Sequence, residues 1–204
     1  MHHSITNLVS IQNTLKTHKT NIIAVSKTFP VSEILPLVNQ QHVHFGENKV
    51  QEAVDKWRKI KQDYKDIKLH MIGRLQTNKV KFAIPLFDYI HSLDSLKLAK
   101  KIYEEQNKIK KSLKIFIQIN IGNEDQKSGI NEEYLEEFYN KCISEFNLDI
   151  VGLMCLPPNN SDSSDYFLKM KDLAKKHNLK ELSMGMSNDY LVAVKYGATF
   201  VRGG

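Results

Sequence analysis

The stretch Leu113–Ile121 reads LKIFIQINI, and its alternation decides the fold. Side chains alternate across a strand, so Ile115, Ile117, Ile119 and Ile121 share one face, while Phe116, Gln118 and Asn120 share the other. A strand with a wholly aliphatic face and a face that grows polar toward its C-terminus suits a closed parallel barrel. The isoleucines then meet outer helices. Phe116, Gln118 and Asn120 look inward, with the polar end at the C-terminal mouth, where barrel sites lie.

Working outward, strand and helix patterns alternate along the whole chain. An amphipathic helix opens it, with Ile5, Leu8, Ile11 and Leu15 at helical spacing. Strands are expected at Asn21–Ser26, Val43–Phe45, Lys68–Ile72, Tyr89–Ser92, Leu113–Ile121, Asp149–Cys155, Glu181–Met184 and Thr199–Gly203. Between them fall helices over Val31–Gln41, Asn48–Tyr64, Thr77–Ile84, Asp94 or Ser95 to Lys110, Asn131–Phe146, Ser161–His177 and Asn188–Tyr196. Eight such strands predict a (β/α)8 barrel filling residues 1–204 as one domain. An open doubly wound sheet is the alternative, but its Gly-rich first turn is absent: the turn reads Ser26–Lys27–Thr28–Phe29–Pro30. No helix pattern follows the eighth strand. Either the N-terminal helix covers it or the sequence lacks its natural C-terminus; the second is preferred, which leaves positions such as Val201 exposed.

With 204 residues, 41% of them hydrophobic, the chain is long enough for one sizeable core. It shows neither a membrane-length apolar run nor a signal peptide, and a cytoplasmic, monomeric protein is expected. The net charge of +6 is partly clustered in Lys56, Arg58, Lys59 and Lys61 and in Lys108, Lys110 and Lys111. Solvated helix faces account for it better than nucleic acid, for which no stacking motif is present. Cys142 and Cys155 read as buried free thiols. His42 and His44 alternate as two metal ligands would, but no third ligand is in view.

Lys27 ends the first strand on the parity of Ile23 and Val25, so it belongs at the top of the barrel interior. Partial burial there would lower its pKa, as a Schiff-base lysine requires. Read alone, it is more readily a solvated strand-end lysine.

Ala24–Thr28 (AVSKT) resembles the cofactor-lysine segment of the pyridoxal phosphate homeostasis protein family, which has the alanine-racemase N-terminal barrel fold. Four further segments match in order: Phe45–Glu52 (FGENKVQE), His70–Lys79 (HMIGRLQTNK), Leu182–Asp189 (LSMGMSND) and Gly197–Arg202 (GATFVR). The resemblance implies a protein that carries or buffers pyridoxal 5′-phosphate (PLP) as a Schiff base on Lys27, with apo-forms of PLP enzymes as possible recipients. An amino-acid racemase on the same barrel is the alternative.

It implies that Asn48 faces the cofactor ring, unless it caps the following helix. Met184, Gly185 and Ser187 would lie in the loop after the seventh strand, on the phosphate side. Arg202, on the parity of Phe200, would meet the ring nitrogen, and Gly203 and Gly204 would offer backbone N–H groups. Asp189 opposes an anion there unless it turns away. The family usually continues Val-Arg-Ile-Gly where this chain reads Val201–Gly204 (VRGG), which puts the phosphate-side wall in doubt. Tyr190 is the nearest candidate second acid–base group, or else a packing residue. Arg74, Lys79 and Lys81 could contact a partner or simply be solvated.

Overall fold

In the computed structural model, residues 3–27, 29–125, 128–159 and 162–203 are described; Thr28, Ser161, Gly204 and the side chain of Ile5 lie outside these. Helix α1 (His3–Leu15) leads into β1 (Asn21–Val25). There follow α2 (Val31–Asn39), β2 (His44–Glu47), α3 (Val50–Asp63), β3 (Lys68–Met71), a 3-10 turn over Thr77–Lys79 with α4 (Val80–Ala83), and β4 (Tyr89–Leu93). The second half comprises α5 (Leu96–Ile109), β5 (Lys114–Ile119), α6 (Leu135–Ser144), β6 (Asp149–Cys155), α7 (Ser164–Lys176), β7 (Glu181–Ser183), α8 (Tyr190–Lys195) and β8 (Phe200–Gly203).

All eight strands are parallel and close into a barrel in sequence order. Closure is made by β1 against β8, where Asn21, Ile22, Ile23 and Ala24 pair with Phe200, Val201, Arg202 and Gly203. The inside–outside reading of β5 holds for the isoleucines and for Phe116. Ile115, Ile117, Ile119 and Ile121 join the large core between sheet and helices. Phe116 packs inside the barrel with Ile23, Ile72, Met154 and Phe200. Burying each such aliphatic or aromatic side chain is worth about 1.5–3 kcal/mol.

The helices present apolar stripes at helical spacing. In α3, Val50, Ala53, Trp57 and Ile60 are buried, and Trp57 packs on Phe45 of β2 with ring centroids 4.8 Å apart. Ser95 caps α5 by accepting the Leu98 N–H at 3.1 Å. Many of the clustered basic residues serve the fold. Lys56 pairs with Glu47 and Glu52, Lys61 with Asp88, and Lys108 with Glu105; Lys111 donates to the Phe87 carbonyl. Cys142 and Cys155 are both buried and free.

Three expectations are corrected. β2 does not stop at Phe45: it runs through Gly46 to Glu47, because a side chain at Gly46 would strike Ile23 and Ile72 inside the barrel. Glycine there marks a close approach, not a strand end. The helix expected from Asn131 begins only at Leu135, behind a 3-10 turn over Glu132–Tyr134, and ends at Ser144. Finally, Val201 is only 1% exposed. It faces Gly185 and α8, while a Cβ at Gly203 would come within 3.0 Å of Ile11 on α1. The outer face of β8 is therefore covered.

Candidate functional site

A cavity of about 540 Å³ opens at the C-terminal mouth. It collects Lys27 from the end of β1, Asn48 from the β2–α3 loop, Gly185 and Ser187 from the β7–α8 loop, and Arg202 and Gly203 from β8. The loop after β6, Leu156, Pro157 and Asn159, completes the wall together with Phe29 and Cys155. This loop had no sequence signal beyond Pro157–Pro158 following a strand.

Lys27 is exposed, not half-buried, so the fold by itself does not desolvate its amine. What the fold does is hold the backbone beneath it. The Ser26 carbonyl accepts a 2.6 Å bond from Lys56 Nζ, and the Ser26 hydroxyl donates to the Glu47 carboxylate. Glu47, fully buried, also accepts from Trp57 Nε1 at 3.0 Å and from Lys56 at 3.1 Å. A buried carboxylate needs such partners. The clamp ties the residue before Lys27 to α3.

Asn48 lines the cavity and does not cap α3; Lys49 occupies the cap position. Gly73 lies against the backbone of Asn48, where a Cβ would come within 2.7 Å of the Asn48 carbonyl oxygen. Gly185 takes φ +104° and its Cβ would strike Ala193, so only glycine turns the chain there without strain. Met184 is the misplaced residue: it is 2% exposed, belongs to the outer core, and does not line the cavity. It sits one position past β7 on the parity of Leu182, which faces the helices. Asp189 lines the cavity, but Oδ1 accepts the Met186 N–H at 2.7 Å and Oδ2 accepts from Ser163. Its charge is engaged in holding the loop. Asn120 also departs from expectation. Its amide closes its own turn with Glu124, and it does not line the cavity.

Arg202 projects inward as its parity predicts and is 7% exposed. Burial brings its pKa down to about 10, so it stays protonated at neutral pH. One of its terminal nitrogens reaches Ser183 Oγ at 3.4 Å, while its Nε–H is buried without a partner. A buried unpaired donor is costly and invites an acceptor.

Behind Arg202 runs a feature invisible to sequence reading. Ser183 Oγ meets His91 Nδ1 at 2.8 Å, His91 Nε2 meets His70 Nδ1 at 2.8 Å, and His70 Nε2 meets His44 Nδ1 at 2.9 Å. Aromatic rings sandwich this file: Phe116 stacks on His91 and Tyr89 on His70, with centroids 4.4 and 4.1 Å apart. Desolvation pushes His70 and His91 well below the usual histidine range and His44 to about 4, so all three are neutral at pH 7. Because Arg202 can only donate, Ser183 pairs all its atoms by donating its own proton to His91. Each histidine then carries its proton on Nε2 and passes a hydrogen bond toward His44. His44 thus spends Nδ1 on His70, and His42 Nε2 lies against the His44 carbonyl, so the two are not convergent ligands.

A closed parallel barrel with a strand-end lysine and a buried arginine sharing one mouth cavity defines a class of ligand-binding (β/α)8 proteins. The chain belongs to the alanine racemase N-terminal domain family, whose model matches residues 3–204. It is 38% identical over 190 residues to the pyridoxal phosphate homeostasis protein of Aquifex aeolicus strain VF5, covering 89% of this chain and 82% of that one. Among solved structures it resembles PipY of Synechococcus elongatus PCC7942. The form with PLP bound has a TM-score of 0.89 and 31% identity, covering 99% of this chain and 98% of PipY. An alanine racemase of Clostridium difficile 630 shares the fold alone, with a TM-score of 0.78 and 15% identity. The chain covers 98% of itself but 55% of that racemase.

Proposed function

We propose that the chain binds PLP as a Schiff base on Lys27 and serves PLP homeostasis as a carrier or buffer, without turning over a substrate. The observation that carries this reading is the unpartnered Nε–H of Arg202, buried at the same cavity that Lys27 reaches. A neutral pyridine nitrogen is an acceptor of the kind that donor lacks. The names of the relatives support the same ligand.

When bound, the cofactor supplies an aldehyde. Lys27, whose amine reaches the cavity, would hold the cofactor through that aldehyde, with one water lost for the bond formed. Arg202, which keeps its proton, would donate its free Nε–H to the ring nitrogen and so favour an unprotonated ring, a weaker sink for electrons. Asn48, which lines the cavity, would border the ring. Ser187 and the backbone of Gly203 serve the phosphate side, with Gly204 beyond the described residues.

The same cavity argues for holding over catalysis. Racemization commonly needs two acid–base groups on opposite faces of a substrate. No tyrosine lines the cavity among the described residues, and Tyr190 packs on the outer core. Cys155 does line it, but burial pushes its thiol up to about 12, which makes it a poor base at neutral pH. Titration with PLP should raise an absorption band that Lys27→Ala abolishes. Retention of the same band by Lys27→Ala would refute the assignment.

A further inference from the structure

A second cleft lies beside the first at the C-terminal mouth, and the proposed PLP site makes no use of it. It measures about 380 Å³ and lies between the Arg74–Asn78 turn and the start of α5. Ser92 opens into it from an irregularity in β4, where the pairing with β5 shifts register between Ile90 and Leu93. Such irregularities re-aim side chains. The Ser92 hydroxyl is buried and bonds to nothing, although the residue is only 3% exposed. Around it are the features of an oxyanion site. The first turn of α5, 14 residues long, points at the cleft. Ser95 satisfies the Leu98 N–H, while the Leu96 and Lys97 N–H groups precede the first intrahelical bond. Arg74 and Lys97 border the cleft, and neither forms an ion pair among the described residues.

One group opposes an anion. Asp94 also lines the cleft, and its Oδ2 accepts the Gly129 N–H at 3.0 Å. A carboxylate on the wall repels a bare oxyanion but accepts a hydrogen bond from one that carries a proton. We propose that this cleft binds a protonated phosphate group, held by the α5 amides, the Ser92 hydroxyl, Arg74 and Lys97, with Asp94 rejecting oxyanions that have no proton to donate. Inorganic phosphate at neutral pH satisfies Asp94; sulfate does not.

The proposal stands apart from PLP binding, and its test is resolved by residue. Inorganic phosphate is titrated into the full chain while backbone amide shifts are followed. Leu96 and Lys97 should shift saturably, separately from Ser187 and Gly203 in the main cavity. Arg74→Gln and Lys97→Gln should each weaken this response about tenfold, the loss expected for one charge-assisted hydrogen bond. Ser92→Ala, which removes only a hydroxyl, should weaken it by less. Sulfate should bind at least about tenfold more weakly than phosphate. Asp94→Asn, which can still accept from Gly129, should erase that preference. No saturable shift at Leu96 and Lys97, shifts scattered evenly over exposed lysines, or equal binding of sulfate and phosphate would each overturn the proposal.

Discussion

Lys27 owes its place to residues that never touch the cavity's ligand. Lys56 fixes the Ser26 carbonyl and balances the buried charge of Glu47. Lys56→Met should cost about 3–5 kcal/mol, because it strands a buried carboxylate; thermal unfolding measures it. PLP affinity should fall with it, since Lys27 follows the loosened residue. The histidine file makes a second prediction. Nitrogen-15 spectra should show His44, His70 and His91 neutral and protonated on Nε2, and the opposite tautomer at His91 would contradict the order derived from Arg202. It also sets a pH dependence. The folded pKa of His44 lies near 4, below its unfolded value near 6.5. The unfolded chain therefore takes up protons first, so stability is full above pH 6.5 and declines as pH falls toward 4. His44 contributes about 3 kcal/mol at most to that decline. His70 and His91 add in the same direction. A double variant, His44→Phe with His91→Phe, should flatten the slope of Tm against pH in that window; an unchanged slope would mean that other groups set it.

At the scale of elements, β5 gives the sharpest contrast. Ile117 faces the helices and is fully buried, so Ile117→Asp buries an unpaired charge and should prevent stable folding. Asn120→Leu should weaken only the turn to Glu124 and leave PLP affinity within about twofold, because a turn bond of this kind is worth roughly 1 kcal/mol and lies outside the cavity. A large loss of affinity in Asn120→Leu would return that side chain to the site. The same elements show what was legible in the sequence. Period-2 alternation told the faces of β1, β5 and β8 apart, and so placed Lys27 and Arg202 at one mouth. It gives out at Asn120, where the chain leaves the strand and local turn bonds set the direction; Met184 keeps the parity of Leu182 and faces the helices, which the motif it belongs to does not reveal. The file of His44, His70 and His91 was illegible for another reason. Its members sit one to a strand on β2, β3 and β4, so only the register of those neighbouring strands lines them up, and only the barrel brings Ser183 of β7 across to His91. The Leu156–Asn159 wall was missed because a loop that merely encloses carries no chemical signature.

For the whole molecule, the proposed carrier role turns on what the mouth of the closed barrel presents. The mouth presents an exposed amine, a buried arginine that stays protonated at neutral pH and a buried thiol whose pKa is pushed up to about 12. Holo-protein incubated with L- and D-amino acids in deuterated water should therefore show no Lys27-dependent α-hydrogen exchange at enzyme-like rates, measured by mass spectrometry. Exchange that requires Lys27 would favour the racemase reading. It should instead release PLP to an apo-enzyme, which a coupled activity assay would follow. The central claim rests on one bond, and one measurement reads it most directly. The PLP-loaded protein is reduced with borohydride, digested, and its modified peptide sequenced. A pyridoxyl adduct on Lys27 is the predicted result; an adduct on another lysine, such as Lys79, with Lys27 unmodified would contradict it.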